Sequence, residues 1–578
     1  MQFTRRQAMG WATSAALGGL TLGCSSPSPE TVEAARPTPE AVAAWQARKF
    51  GMFIHWGLYA VPAGVWKGQK VTSIYSEQIQ LRAPIPVNEY AELAKDFNPT
   101  LWDPKAVASL AKDAGMRFIV LTAKHHDGFS MFGTRQSKFN IVDATPYGRD
   151  VVMDLAKATR AEGLHFGVYF SSIDWHWGTA PDMDNNNEIP KGLEDFNVAQ
   201  LEELATNYGP LTEIWFDMGK PKPAQSKRWA DTVHRAQPNC MVSGRVFNHQ
   251  GDFTVMGDNA IPTHIIEEPW QTHGSIYHET WGYRSWQERS DVPGKVREHL
   301  LNLVKVVSRG GNYLLNIGPR GDGSVVEFEA QVLKLLGRWL GLNGEAIYDT
   351  QPQPFDQLSF GYATRKPGRL YLLVTEWPAD GRLLLPTMRN PLRKAYFLSD
   401  SWRSELEVES LPEGQVVKAL QPTVLEPVTV LVAEFEGDLS LAATLPPVQG
   451  DGSLLLARSA AKEFFHYNGH GYYEKPKLYQ LQWRFQVPED GDYAVEAMVR
   501  AEKEAQMVEL QIGDHVSRHE IPPGFAGGSP ATWSLVTIPL RARQDLTLTL
   551  SPPRPVDRAA GLNLEVQDFV LRPKPRTP

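Results

Sequence analysis

Short apolar runs alternate with amphipathic stretches through the first half of this chain, and that alternation leaves few folds open. FGMFIHWG, RFIVLTAKHH, HFGVYFSS, TEIWFDM, CMVSGR, HIIEEPW and NYLLNIGP are near-continuously apolar. Strands covered by helices on both faces have that texture, so each run is read as a buried parallel strand. PKAVASLAKDAG precedes the second run, VMDLAKATRAEG the third and FNVAQLEELATNYG the fourth. Each is amphipathic and closes in Gly, which predicts a left-handed C-cap. Strand and helix repeating over residues 41–350 predict a (β/α)8 TIM-like barrel, irregular in its second half. A doubly wound sheet is the competing α/β architecture. No Gly-rich phosphate loop follows the first run, which argues against that sheet's nucleotide site.

At 578 residues the chain is too long for one core. Beyond residue 350 the texture becomes short alternating runs broken by Pro and Gly, among them LYLLVTEW, RKAYFLS, GQVVKAL and VTVLVAEF. These predict a β-sandwich over 351–440 that covers barrel surface. KLYQLQWRFQVP, GDYAVEAMVRA, MVELQIGD, WSLVTIPL and LTLTLSPP predict a second, jelly-roll-like sandwich over 451–578. HYNGHGYYEK, at its start, is rich in Tyr and His. A carbohydrate-binding module and an inert packing module are equally open there, since a binding face depends on strand register.

A net charge of -8 gives no basic footprint for nucleic acid. The N-terminus carries Arg5 and Arg6, then the apolar WATSAALGGLTLG, then Cys24. This reads as an export signal over residues 1–24, with an apolar run too short to span a membrane. Cys24 after LTLG resembles a bacterial lipoprotein site, although Thr21 stands where Leu is usual. Lipidation of Cys24 is preferred over simple cleavage. The Pro-rich stretch over 25–40 then serves as a tether, and the protein is exported to the periplasm or cell surface. With Cys24 at the mature N-terminus, Cys240 has no intrachain partner, so neither a disulfide framework nor a Cys-based metal site is expected.

Barrel active sites are built at the C-terminal ends of the strands. Those ends carry His55-Trp56, His125-His126-Asp127, Tyr169, Asp217 and Arg245. Singly, such residues are as well explained by core packing or helix capping. Together they predict a polar, imidazole-rich, aromatic mouth. Adjacent His125 and His126 point to opposite faces of an extended strand, and the zincin spacing is missing. No Gly-x-Ser-x-Gly elbow is present either. Glycoside hydrolysis, in which two carboxylates flank a glycosidic bond, suits the set better.

Several long segments then carry a resemblance. KFGMFIHWGLYAVPAGVW, LTAKHHDGFSMFGTRQSKFNIVDATPYGRDVVMDLAKATRAEGLHFGVYFSSIDW, YGPLTEIWFDM, SRGGNYLLNIGPRGDGSV and NGEAIYDTQP are similar to the α-L-fucosidases of glycoside hydrolase family 29. The resemblance implies a retaining exo-α-L-fucosidase acting on fucosylated glycans, with no metal or organic cofactor. It implies Asp217 as nucleophile, kept ionised by Arg245, His125 or His126. It also implies His55, His125, His126, Tyr169, Arg245 and Glu77 as sugar-binding residues, with Trp56 and Trp281 near the ring. Gln78 stands where many relatives have Trp. Asp258, in GDNAIP, matches the acid/base position, and its pKa is expected to be raised. Trp270-Gln271 replaces the Trp-Glu of many relatives, so Glu267 and Glu268 stay as alternatives, with Asp252 and Glu279 as weaker ones. Within the enzyme class the rival is an α-L-galactosidase-like specificity. Outside it, the rival is a non-catalytic glycan-binding protein on the same scaffold.

Overall fold

The structure, a computed structural model, describes residues 34–73, 75–178, 187–355, 357–421, 426–442, 446–466, 477–523, 532–556 and 561–575. The signal segment, Cys24, most of the tether and nearly all of HYNGHGYYEK lie outside the described residues.

Eight parallel strands form the first sheet: β1 (Phe50–Ile54), β2 (Phe118–Lys124), β3 (His165–Ser171), β4 (Glu213–Asp217), β5 (Met241–Val242), β6 (Thr254–Val255), β7 (Trp270–Ser275) and β8 (Asn312–Ile317). Consecutive strands pair with one another except β5 with β6, and β1 also pairs with β8. The remaining two edges meet at a parallel bridge between Ser243 and Phe253, so the sheet closes into a barrel. Helices α1 (Pro39–Ala47), α2 (Pro104–Asp113), α3 (Val151–Ala161), α4 (Lys191–Asn207), α5 (Pro223–Ala236), α6 (Val292–Ser308) and α7 (Glu327–Asn343) surround it. Gly115, Gly163 and Gly209, the three predicted C-caps, all have positive φ. Helix α1 starts at Pro39, capped by the Thr38 side chain, so it begins inside the stretch expected as tether.

The irregular half lies where no α-helix separates β5, β6 and β7. HIIEEPW, expected as a strand, is loop up to Pro269, and the strand is Trp270–Ser275. Its sequence, WQTHGS, is not an apolar run, because Gln271 and His273 face a polar interior and only the outer face needs apolar residues.

The period-2 alternation of a strand sorts the side chains. On β4, Ile214 and Phe216 pack in the cluster beneath the helices, whereas Trp215 belongs to the interior cluster with Phe53, Tyr169 and Trp281. Asp217 continues the inward series.

A four-stranded and a three-stranded antiparallel sheet form the second domain, over Gly361–Lys366 to Thr429–Phe435. It is packed on α7, where Trp339 Nε1 donates to the Val428 carbonyl at 2.8 Å and Tyr371, Leu373 and Val430 join the barrel's outer core. The third domain, Leu454–Leu456 to Leu564–Pro573, pairs a four-stranded with a five-stranded antiparallel sheet around its own core.

Candidate active site

Asp217 ends β4, and the chain turns at once: Met218 has φ 59° and Gly219 φ 87°. A left-handed Met costs on the order of 1 kcal/mol, a strain of the kind that clusters where a side chain must be held at a strand end. The Tyr169 hydroxyl donates to Asp217 Oδ2 at 2.7 Å and Arg245 Nη1 donates to Oδ1 at 2.9 Å. Neither His125 nor His126 is a donor to it; His126 Nε2 stands 3.8 Å from Oδ2.

Arg245 reaches a second carboxylate with its other terminal nitrogen. Nη2 donates to Asp258 Oδ1 at 2.8 Å and to the Met256 carbonyl at 3.2 Å. The guanidinium lies 4.9 Å from the Trp215 ring centroid, a cation–π contact beneath the fork. Asp258 takes two further bonds, from His273 Nε2 to Oδ1 at 2.9 Å and from the Tyr75 hydroxyl to Oδ2 at 2.9 Å. Burial alone would push the Asp258 carboxyl up, but the charge of Arg245 and the His273 bond outweigh it and hold it well below the carboxylate range. The expectation of a raised pKa fails here, because one buried guanidinium is shared between both carboxylates.

The imidazoles are kept neutral by burial. His55 is pushed down to about 3 and His126 to about 4, while His125 is lowered by burial and by the two neighbouring histidines. Asn316 Oδ1 accepts from His55 Nδ1 at 2.7 Å, which leaves Nε2 without a proton. The Ser171 hydroxyl donates to the Ile173 carbonyl, so at 2.7 Å it accepts from His126 Nδ1 and again leaves Nε2 bare. Bare ring nitrogens at the mouth of a pocket accept hydroxyl protons. Glu77, buried and pushed up to about 7, first by burial, accepts from the backbone N–H groups of Trp281 at 3.1 Å and Gly282 at 2.9 Å.

These residues line one pocket of about 340 Å³ with Phe53, Tyr75, Gln78, Trp215, Met218, His273 and Trp281. Of the residues expected there, Trp56 is not brought in. It is buried outside the pocket, stacked on Trp102 at 4.4 Å, with its Nε1 donating to the Arg320 carbonyl. The residue after a strand's inward His faces the opposite side. Glu267 and Glu268 turn toward the third domain, where Glu268 Oε1 stands 3.1 Å from His466 Nδ1. Asp252 pairs with His234, and Glu279 is exposed beside Arg284 and Gln287. Tyr75 and His273 are pocket residues that no sequence pattern marks. His273 lies on the polar strand WQTHGS, past the apolar HIIEEPW, and Tyr75 lies near Glu77 in a loop with no periodic signal. Among the described residues no cluster of three or more His, Cys, Asp or Glu is arranged to hold a metal ion.

Two carboxylates bridged by one guanidinium, in a buried aromatic pocket with bare imidazole nitrogens, are groups that can do acid/base and nucleophilic chemistry on a hydroxyl-rich ligand. The family profile described as alpha-L-fucosidase matches residues 26–345. The tissue alpha-L-fucosidase of Rattus norvegicus is 30% identical over 393 residues, covering 64% of this chain and 83% of that protein. Its Homo sapiens counterpart is 32% identical over 373 residues, covering 61% and 78%. Among solved structures, the alpha-L-fucosidase from Vibrio sp. strain EJY3 superposes with a TM-score of 0.64 at 26% identity, covering 93% of this chain and 99% of that one. The Thermotoga maritima alpha-fucosidase in complex with a mechanism-based inhibitor gives 0.58 at 27% identity, covering 69% and 100%.

Proposed function

This chain belongs to the α-L-fucosidase family of glycoside hydrolases, and from that premise we propose that it is a retaining exo-α-L-fucosidase with Asp217 as nucleophile and Asp258 as acid/base. The observation that carries the reading is the Arg245 fork, which grips both carboxylates at 2.9 and 2.8 Å. Retaining enzymes need their two carboxyl groups close, about 5 to 5.5 Å apart.

In the first step an Asp217 oxygen forms a bond to the anomeric carbon as the bond to the aglycone oxygen breaks, and Asp258 gives that oxygen a proton. In the second step Asp258 takes a proton from water, whose oxygen displaces Asp217 from the same carbon. Arg245 and His273 hold the Asp258 carboxyl below the usual carboxylate range in the free pocket, so Asp258 takes its first proton from solvent, and the second step returns one to it from water. Arg245 and Tyr169 hold the Asp217 side chain in place through one hydrogen bond to each oxygen. His55 and His126 accept sugar hydroxyl protons on bare Nε2 atoms, and His125 lies between them. Phe53, Trp215 and Trp281 supply apolar wall for the sugar's methyl-bearing face.

The test uses the chain lacking residues 1–24. Release from an aryl α-L-fucoside, against none from the β-fucoside or the α-L-galactoside, is expected. Asp217→Gly abolishes that release, and azide restores it as the glycosyl azide of inverted configuration. Turnover by the purified variant without azide would remove Asp217 from its role. Release from none of the substrates, with retention on a glycan array, would favour the binding protein. The proposal includes export with a lipid on Cys24, checked by lipid labelling of the full chain that Cys24→Ser abolishes.

A further inference from the structure

The loop that carries Asp258 has no helix behind it. After the short 3-10 turn Gly244–Val246 the chain contributes only the two-residue β6 before Trp270, and Phe247, Asn248 and His249 in succession adopt positive φ. Near Asp258 the loop is tied to the barrel: Asn259 N–H donates to the His273 carbonyl at 3.1 Å, and Asn259 Oδ1 accepts from Ser275 N–H at 2.8 Å. Its outer limb, residues 261–268, meets the third domain.

The contact is made by Lys462–His466, an edge strand of the five-stranded sheet. The Phe465 ring stands 4.5 Å from the His264 ring and packs against the barrel's outer apolar cluster. His466 Nδ1 lies 3.1 Å from Glu268 Oε1, and its ring is stacked over His249 at 6.3 Å. Lys462 Nζ comes within 3.9 Å of Glu267 at the surface. The edge strand thus touches both flanks of the loop segment on which Asp258 sits. A general acid works only within hydrogen-bond reach of its oxygen, and a misplacement of about 1 Å costs up to about a hundredfold.

We propose that the Lys462–His466 strand is a positioning element of the active site, with Phe465 as wedge and His466 as brace, so that the third domain belongs to the catalytic unit. This rests on Asp258 being the acid/base. The strand touches no reacting atom; it acts through the loop.

The experiment compares full-length wild type, Phe465→Ala, Phe465→Leu, His466→Ala and Asp258→Ala on two fucosides, one with an activated aryl leaving group and one with a sugar leaving group. The ratio of the two kcat/KM values, taken on one preparation, is independent of the fraction of active protein. In Phe465→Ala the sugar substrate is expected to lose about tenfold more than the aryl substrate, part of the 10²–10⁴-fold that a general acid contributes. His466→Ala shifts the ratio the same way, and Phe465→Leu restores it. An unchanged ratio in Phe465→Ala, beside a collapsed ratio in Asp258→Ala, overturns the positioning role alone. An unchanged ratio in Asp258→Ala overturns the acid assignment, and the positioning role with it.

Discussion

Replacing Arg245 by Lys keeps a positive charge in the pocket and removes the fork. The native guanidinium gives one nitrogen to Asp217 at 2.9 Å, the other to Asp258 at 2.8 Å, and a further contact to the Met256 carbonyl at 3.2 Å. A single ammonium cannot reproduce two parallel bonds to separate carboxylates. At least one charge-assisted hydrogen bond is therefore lost, each of about 1.5–3 kcal/mol. That corresponds to a fall in kcat/KM of roughly 10- to 150-fold. The pH dependence carries the sharper signal. In wild type the Asp258 carboxyl is depressed, so its ionisation stabilises the fold above the unfolded pKa and that contribution is lost only as pH falls through the depressed value. Lys keeps the charge that opposes burial most strongly at Asp258 but loses the direct hydrogen bond of the fork, so the pKa of Asp258 rises only in part. Stability above the ordinary carboxylate range drops, and the alkaline limb of the kcat/KM profile moves to higher pH for the sugar leaving group. Calorimetric melting and pH–rate profiles on both fucosides read these effects. A variant with kcat/KM within threefold of wild type and an unmoved profile would refute the shared-fork reasoning.

Tyr75→Phe removes the single hydroxyl on Asp258 Oδ2; a fall of roughly tenfold in kcat/KM, confined to poor leaving groups, is expected from one lost hydrogen bond to a charged group, and equal loss on both fucosides would count against it. Glu329, buried in α7 and accepting from the Gly318 N–H at 3.2 Å, has its pKa pushed up to about 8, first by burial. A raised folded pKa means that its contribution is intact below about 4.5 and is lost as pH rises to about 8. Glu329→Gln should therefore match wild type near pH 5 and exceed it at pH 9 by on the order of a few kcal/mol, read as melting temperature against pH; a constant difference across pH would refute it. Trp56→Phe should cost stability through the lost Trp102 stacking and Arg320 bond, with KM for the aryl fucoside unchanged; a raised KM would return Trp56 to the sugar.

Asp217, His55 and Tyr169 are legible in sequence because each lies in the C-terminal part of, or just after, a run that is a strand on composition alone, and an eight-strand barrel makes strand ends converge whatever the loops do. Trp56 was misplaced by the same logic taken one residue too far, since adjacent residues at a strand end diverge. WQTHGS concealed a strand because its inward residues are a buried polar network, Gln271 to Trp215 and His273 to Asp258, so the apolar signal was halved and His273 went unseen.

By itself the sequence determined the barrel, the inward nucleophile candidate and the family, because hydrophobic periodicity and long motifs are local properties. Only the tertiary structure decided which of several loop carboxylates enters the pocket, that Arg245 and His273 depress its pKa there, and that Glu267 and Glu268 face the third domain. Those outcomes depend on which distant groups surround a carboxylate: Arg245, His273 and Tyr75 for Asp258, and His466 for Glu268. Loop register and electrostatic environment are set by contacts far apart in the chain, and no local pattern encodes them.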